Sequence, residues 1–260
     1  MNKEFTKDGY VFKKNFLNNS DKKKIYSFLK KNLGENVNYL KKKYINLENQ
    51  VFHDQLKKLR KKQKVFGEIY DKINLSSDLR SIFYQKKFID TFKLILKTDQ
   101  IYLSGFMCRF DFPNDDRNML SWHQDSPYYM QTYPKFNAGV CWVPITNNSE
   151  KNGTLQFIKK SNKRMEKSKY VSKNSLSTSE YLLEVSEKEK FQNLENLNQK
   201  FGDVSFLHMH LKHRSGNNTS EKVRMTIACR FHSMKNMNIG KEIYFYNNKK
   251  IKNKYIIKKR

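Results

Sequence analysis

The residues of this chain best placed to do chemistry are a histidine and an aspartate two positions apart. They are His123 and Asp125, in the stretch SWHQDSPYY. On an extended strand such a pair points to one face, which sets an imidazole beside a carboxylate. Two histidines and one carboxylate form the ligand set of non-heme Fe(II) oxygenases, and the pair would supply two of these three. The pattern therefore predicts an iron site that needs one more histidine.

Three later histidines compete to be the third ligand. If 204–213 were one unbroken strand, His208 and His210 would share a face and His213 would lie on the other. His213 is favoured because it stands at the end of that run, beside the turn-forming segment SGNNTS, and because Arg224 follows it 224 − 213 = 11 residues later. His208 and His210 are interpreted as structural histidines.

Arg224 opens the alternating run RMTIACRF. On a period of two, one face carries Arg224, Thr226, Ala228 and Arg230, and the other carries Met225, Ile227, Cys229 and Phe231. The apolar second face is expected to pack under helices, which turns Arg224 inward. A buried guanidinium requires an anionic partner, and a dicarboxylate cosubstrate would bind it through two parallel bonds. An internal salt bridge, for instance to Asp203, is the alternative.

A series of short segments runs in order through most of the chain. The segments are WHQD (122–125), VCWVPI (140–145), GDVSF (202–206), HRSGNN (213–218) and Arg224, preceded by an opening GYVFKKNF (9–16) and a helix. Together they resemble the phytanoyl-CoA dioxygenase-like family of Fe(II)/2-oxoglutarate-dependent oxygenases, over about residues 5–233. The resemblance departs at 158–163, where IKKSNK stands in place of the family's PGSH.

The resemblance implies a role for each matching residue. It assigns His123, Asp125 and His213 as catalytic iron ligands, Arg224 and Ser215 to 2-oxoglutarate, Trp142 to the pocket wall, and Arg109 to the neighbourhood of the cosubstrate. Halogenating relatives replace the carboxylate ligand with Gly or Ala, so the retained Asp125 argues against halogenation. The implied fold is a double-stranded β-helix, a jelly-roll or cupin-like barrel.

The implied reaction is hydroxylation of an unactivated C–H bond in a small metabolite, lipid or sugar-type substrate. Fe(II) is the cofactor, 2-oxoglutarate and O₂ are cosubstrates, and succinate and CO₂ are released. Tyr128, Tyr129 and Tyr133 are expected either to shape the substrate pocket or simply to pack a compact loop. The alternatives are an oxygenase that modifies nucleic acid through a basic surface and a metal-binding barrel without catalysis.

The net charge of +27, from 52 basic and 25 acidic residues, bears on the nucleic-acid alternative. Such a charge attracts polyanions. The excess consists of lysine, whereas readers of phosphates and bases rely on arginine, so lysine accumulation explains it and nucleic acid is not the expected partner. We find no secretory leader or membrane-spanning run. Cys108, Cys141 and Cys229 lie in apolar runs without close pairs, so a cytoplasmic protein with reduced thiols is expected.

The elements that must position these residues follow from apolar spacing. Helices are expected at about 21–32 with Ser20 as the cap, at 55–73 and at 78–96. Strands are expected at 9–16, 101–112, 135–145, 154–158, 201–213 and 223–231, with an insertion at 161–199. Helices followed by strands indicate an α+β fold, with the N-terminal helices packed on one sheet of the barrel. We expect a single domain over 1–260, with a helical part at about 1–100, a barrel core at about 101–233 and a basic tail at 247–260.

Overall fold

A computed structural model of the chain describes residues 1–129, 136–171 and 180–236, and the backbone of two further strands. Tyr133, part of the expected insertion and most of the basic tail lie outside the described residues. The helices are α1 (Asn2–Asp8), α2 (Asn19–Leu33), α3 (Gln50–Lys61), α4 (Gln63–Leu75), α5 (Ser77–Ser81), α6 (Lys86–Leu96) and α7 (Glu187–Asn193). The strands are β1 (Tyr10–Lys13), β2 (Ile101–Asp111), β3 (Ala138–Pro144), β4 (Leu155–Ile158), β5 (Lys169–Val171), β6 (Glu180–Leu182), β7 (Leu194–Asn196), β8 (Val204–His208), β9 (His213–Ser215), β10 (Arg224–Ser233), β11 (Ile243–Tyr246) and β12 (Lys249–Lys252).

The described strands form antiparallel sheets, and the fold combines these sheets with helices, as the α+β expectation requires. A five-stranded sheet has the order β1-β8-β3-β10-β2, and a three-stranded sheet has the order β7-β4-β9. The expected insertion is therefore part of the fold, because β7 pairs with β4. The pairs β5-β6 and β11-β12 form two separate hairpins.

The two faces of β10 pack as the alternation predicts. Phe231 stacks on Phe92 of α6 with ring centroids 4.3 Å apart, and the Met225, Ile227 and Cys229 side chains join the same helix-covered core. On the opposite face Ala228 shares a second apolar cluster with Trp142 of β3 and Phe157 of β4. Because that cluster includes residues of both sheets, the sheets face each other and the inward face of β10 looks into the space between them.

Two of the expected helices are interrupted. Lys62 (φ −86°, ψ 71°) separates α3 from α4, and Gln85 (φ −61°, ψ 145°) separates a 3₁₀ turn at Ile82–Tyr84 from α6. Apolar residues continue at helical spacing across the first break, from Leu59 to Phe66, so the periodicity alone gives no sign of it.

The expected strand at 201–213 is wrong in a way that matters for the site. It is two strands, β8 and β9, which belong to different sheets. Between them the chain turns, and the Leu211 amide donates to the His208 carbonyl. The turn carries His213 out of the five-stranded sheet and into the smaller one, so strand alternation from His208 does not decide where His213 points.

The cap of α2 is Asn18, not the expected Ser20. The Asn18 side chain accepts a hydrogen bond from the Asp21 amide, and the Asp21 carboxylate accepts one from the Asn18 amide. This reciprocal capping box satisfies two backbone donors that the helix leaves free. Ser20 is exposed in the first turn.

We expect Asn18→Ala to lower the free energy of unfolding by about 1 kcal/mol, the usual cost of losing an N-cap side chain. Ser20→Ala is the matched control, since Ser20 accepts no capping bond, and it should change stability by less than about 0.5 kcal/mol. Urea unfolding of both variants measures the difference. Equal losses in the two variants would contradict the assignment of the cap.

His53 of α3 offers a test of pH-dependent stability far from the site. Burial, with Lys222 and Lys57 nearby, lowers its pKa to about 4 from the ordinary value of 6.5. Its Nδ1 accepts a hydrogen bond from the Val223 amide at 3.1 Å, which holds the ring neutral. Between these two pKa values the unfolded chain binds more protons, so stability falls as the pH falls from about 6.5 towards 4.

We expect His53→Asn, which keeps an acceptor near the Val223 amide but cannot titrate, to reduce that pH dependence. Between pH 7 and pH 5 the parent should lose about 1–2 kcal/mol more unfolding free energy than the variant. Urea unfolding at the two pH values gives the comparison, and the loss from other histidines cancels in the difference. A parent and a variant with the same pH dependence would exclude a neutral His53.

Candidate metal centre

His123 and His213 come from segments that are joined by their backbones. The His123 amide donates to the His213 carbonyl at 2.9 Å, and the His213 amide donates back at 3.0 Å. This antiparallel bridge places the two side chains on the same side, with ring centroids 4.1 Å apart. The pair therefore lies at the edge of the three-stranded sheet, where β9 begins.

Asp125 reaches the same place by a turn and not by strand alternation. It has helical backbone angles (φ −74°, ψ −24°) at the start of a 3₁₀ turn over Ser126–Tyr128. The expectation of a regular strand through 123–125 is wrong here. Gln124 is fully buried, and its side-chain amide donates to the His210 carbonyl at 2.6 Å. These contacts fix the segment that presents Asp125.

His123, Asp125 and His213 converge into one cluster. One potential ligand atom from each lies within 4.8 Å of the others, and all three residues are buried. His123 Nδ1 lies 2.7 Å from the Ser121 carbonyl, and His213 Nδ1 lies 2.8 Å from the Leu211 carbonyl. A carbonyl only accepts, so each Nδ1 carries the proton and each Nε2 is left with a lone pair for a metal.

The electrostatics of the cluster also suit a metal. Burial and the nearby His213 lower the pKa of His123 to about 3, and burial lowers the pKa of His213 as well. Burial raises the pKa of Asp125, but the nearby Arg230, His213 and His123 outweigh it and lower that pKa overall. All three groups are therefore unprotonated near neutral pH, the form in which they bind metals. Two imidazoles and one carboxylate fit Fe(II).

Arg224 is buried between the sheets, and its partner in the described residues is Asp111. The two residues lie opposite each other in the β10–β2 pair, and Arg224 Nη2 contacts Asp111 Oδ2 at 2.8 Å. Arg109 Nη2 approaches the other oxygen of the same carboxylate at 3.3 Å. The internal salt bridge considered from the sequence is therefore present, but its partner is Asp111 and not Asp203, which accepts hydrogen bonds from the Asn15 and Lys200 amides.

The Nε donor of Arg224 is buried and has no hydrogen-bond partner among the described residues. Two guanidinium groups, of Arg109 and Arg224, share the single carboxylate of Asp111. Together Arg109, Arg224 and Asp111 therefore carry one net positive charge and at least one free donor. They could bind one further carboxylate.

Of the other residues singled out from the sequence, Tyr128 contacts the cluster directly, whereas no hydrogen bond joins Ser215 to Arg224 in the described part of the chain. Ser215 accepts a bond from the Leu120 amide at 3.2 Å. Trp142 is buried opposite Ala228 in the cluster between the sheets. The Tyr128 ring lies edge-on to His123 at 6.0 Å, and its hydroxyl accepts a bond from the Tyr181 amide.

His208 and His210 lie outside the group of potential ligands. Their rings are 5.2 Å apart, and His210 Nδ1 lies 2.8 Å from the Ser126 hydroxyl. This contact helps to hold Ser126, the residue that follows Asp125, in place.

Arg230 is a site residue to which the sequence reasoning gave no role. Its Nε lies 3.4 Å from Asp125 Oδ2, and its guanidinium lies over the Tyr129 ring at 5.2 Å. Asp125 keeps the pKa of this guanidinium raised despite its burial. The signal was available, because the alternation of β10 already placed Arg230 on the face of Arg224.

The profile of the phytanoyl-CoA dioxygenase (PhyH) family matches residues 5–226. The chain belongs to this family. Together with the His-Asp-His cluster, membership makes it a non-heme iron and 2-oxoglutarate-dependent oxygenase. No curated protein matches the chain in sequence.

Solved structures share the fold at low sequence identity. EctD from S. alaskensis, solved with 2-oxoglutarate and 5-hydroxyectoine, has a TM-score of 0.60 at 17% identity, over 90% of this chain and 75% of its own. The apo form of ThoJ, described as a non-heme monooxygenase, has a TM-score of 0.59 at 20% identity over 89% and 76%. The epimerase SnoN, described as non-heme and α-ketoglutarate-dependent, has a TM-score of 0.55 at 13% identity over 94% and 83%.

Two further expectations concern the rest of the chain. Cys108, Cys141 and Cys229 are buried free thiols, as their spacing predicts. Among the described residues, no helix combines the length and the apolar character needed to cross a membrane.

Proposed function

We propose that this chain uses Fe(II), 2-oxoglutarate and O₂ to hydroxylate an unactivated C–H bond of a small substrate, with release of succinate and CO₂. The convergence of His123, Asp125 and His213 in a chain of this family carries the proposal. We assign the two facing sheets to a double-stranded β-helix that forms a single domain with the helices on the outer side of the larger sheet. The helix-covered core of β10 supports this assignment.

In this proposal the three clustered residues hold the metal and act as the catalytic centre. His123 and His213 bind it through Nε2 because their Nδ1 protons are engaged by the Ser121 and Leu211 carbonyls. Asp125 supplies the one anionic ligand. The bound iron supplies the activation of O₂ and the oxidation, which no protein side chain can perform.

Arg224 binds the distal carboxylate of 2-oxoglutarate. Its position on the inward face of β10 and its free Nε donor support this role. Asp111 orients the guanidinium from the opposite strand, and Arg109 offsets the charge of Asp111 so that a second carboxylate is attracted. Trp142 forms an apolar wall that keeps water away from the cosubstrate. Ser215, which is bonded to Leu120, is proposed to assist from the edge of the site.

The substrate is proposed to bind beside the loop that follows Asp125. Tyr128 lies against His123, and Tyr129 lies against the backbone of β2, where a side chain on Gly105 would come within 2.9 Å of its ring. Tyr129 also lies against Arg230, six residues along β10 from Arg224, so we place the substrate on the Arg230 side of the metal centre. We extend the proposal to Tyr133, which lies outside the described residues.

A metabolite screen tests the proposal. The iron-reconstituted chain is incubated aerobically with 2-oxoglutarate and a panel of small molecules, with one oligonucleotide included. We expect at least one small molecule to gain one oxygen atom by mass spectrometry, with an equal amount of succinate formed. His213→Ala serves as the control for oxidation by free iron. Oxidation of the oligonucleotide alone would show that the substrate is nucleic acid. Equal oxidation by the parent and by His213→Ala would refute the proposal.

A further inference from the structure

Arg230 lies on the inward face of β10, on the same side of the strand as Arg224. Six residues of extended strand, at about 3.3 Å each, separate the two α-carbons by about 20 Å. The two arginines therefore lie at opposite ends of the space between the sheets. Arg224 lies at the end proposed for 2-oxoglutarate, and Arg230 lies at the end bordered by Tyr129.

The hydrogen bonding of Arg230 is incomplete. Its Nε and Nη2 edge faces the two oxygens of Asp125 at 3.4 and 3.5 Å, both long for charged partners. Its Nη1 is buried and has no hydrogen-bond partner among the described residues. The segment at 130–135, which continues from Tyr129 and lies outside the described residues, reads MQTYPK and contains no acidic residue. An unmade bond on a buried charged donor is costly, so this edge points to a ligand.

Tyr129 leaves that edge open. The central carbon of the guanidinium lies over its ring, 5.2 Å from the ring centroid. A carboxylate binds a guanidinium in the plane of the group, along an edge, and not on the face. Among the described residues no hydrogen bond joins Tyr129 to Nη1, so this donor stays available to an anion.

The charges of the site also favour an anion. Arg109, Arg224 and Arg230 face Asp111 and Asp125, which gives 3 − 2 = +1. The two positive charges of Fe(II) and the two negative charges of 2-oxoglutarate cancel, so these five residues keep one positive charge when both are bound. A buried net charge without a partner is unfavourable.

We infer that Arg230 binds a singly charged anionic group of the substrate, best a carboxylate, through its free Nη1 edge. The substrate is thus a small organic acid and not a neutral lipid or sugar. Because Arg230 also contacts the ligand Asp125, the anionic group is held next to the metal, and the carbon that reacts lies close to it. This inference rests on the proposed function, since it concerns the substrate of that same site.

A binding experiment with paired probes tests the inference. Fe(II)- and 2-oxoglutarate-loaded chain is titrated anaerobically, by calorimetry, with amino and hydroxy acids and with the carboxamide of each. We expect at least one acid to bind about ten- to hundredfold more tightly than its amide, as one or two charge-assisted bonds imply. Arg230→Gln should abolish that preference and leave the Kd of 2-oxoglutarate unchanged within about twofold. Arg117→Gln, a half-exposed arginine paired with Asp115, is the matched control and should keep the preference.

Several outcomes would overturn the inference. One is a parent that binds acids and amides alike, a result that does not depend on the folding of any variant. A second is a preference that survives in Arg230→Gln. A third is a tenfold loss of 2-oxoglutarate affinity in Arg230→Gln, which would assign the free edge to the cosubstrate. A parent that binds neither Fe(II) nor 2-oxoglutarate would instead refute the proposed function, so the two failures are distinguishable.

Discussion

Replacing His213 with alanine is expected to abolish retention of Fe(II) and all turnover of 2-oxoglutarate. His213 contributes one of the two imidazoles in a cluster whose ligand atoms lie within 4.8 Å of one another. Without it the metal would have two protein ligands, too few to hold it against solvent. The backbone bridge between residues 123 and 213 does not involve the side chain, so the fold should persist.

The measurement is bound iron after gel filtration, together with circular dichroism to verify the fold. His208→Ala is the matched control, because His208 is a partly buried histidine five residues before His213 that packs against Phe5 and His210. It should retain iron at the parent level. Loss of iron in His208→Ala with retention in His213→Ala would reassign the third ligand.

Replacing Arg224 with alanine is expected to weaken 2-oxoglutarate binding by about a hundredfold or more while iron retention stays nearly intact. Each charge-assisted bond to the distal carboxylate is worth about 1.5–3 kcal/mol, which is about ten- to hundredfold in affinity, and a guanidinium makes two. Arg224 contacts Asp111 and not the three clustered residues, so the metal should remain. Calorimetric titration of the iron-loaded chain, without oxygen, measures the effect.

The alanine variant also breaks a buried ion pair, which costs about 3–5 kcal/mol of stability. Arg224→Lys keeps a cation beside Asp111 and removes only the planar fork, so it separates binding from folding. We expect it to fold as the parent does and to bind 2-oxoglutarate about tenfold more weakly. Parent-like binding in both variants would place the cosubstrate elsewhere, and the metal-binding barrel without catalysis would become the better account.

The sequence predicted the parts of the fold that depend on local pattern. The alternation of β10 assigned both faces correctly, since one face is apolar throughout and the other carries two arginines. The cap of α2 was also within reach: Asn18 is followed three residues later by Asp21, the spacing of a capping box, whereas Ser20 is followed by Lys23.

Features that depend on contacts between distant segments could not be predicted in the same way. The break between β8 and β9 carries no glycine or proline, because 209–212 reads MHLK. Asp111 becomes the partner of Arg224 through the register of β2 and β10, which no local pattern specifies. The proton positions on His123 and His213 depend on carbonyls two residues away whose direction is set by the fold.

The central claim is that His123, Asp125 and His213 form the iron centre of a 2-oxoglutarate-dependent oxygenase. The most direct measurement is succinate formed from 2-oxoglutarate by the chain reconstituted with Fe(II), in air, compared with the same chain loaded with Zn(II) and with the His213→Ala variant. We expect succinate above background in the Fe(II) sample alone, with one iron bound per chain. A chain that binds one iron and 2-oxoglutarate but forms no more succinate than the two controls would contradict it.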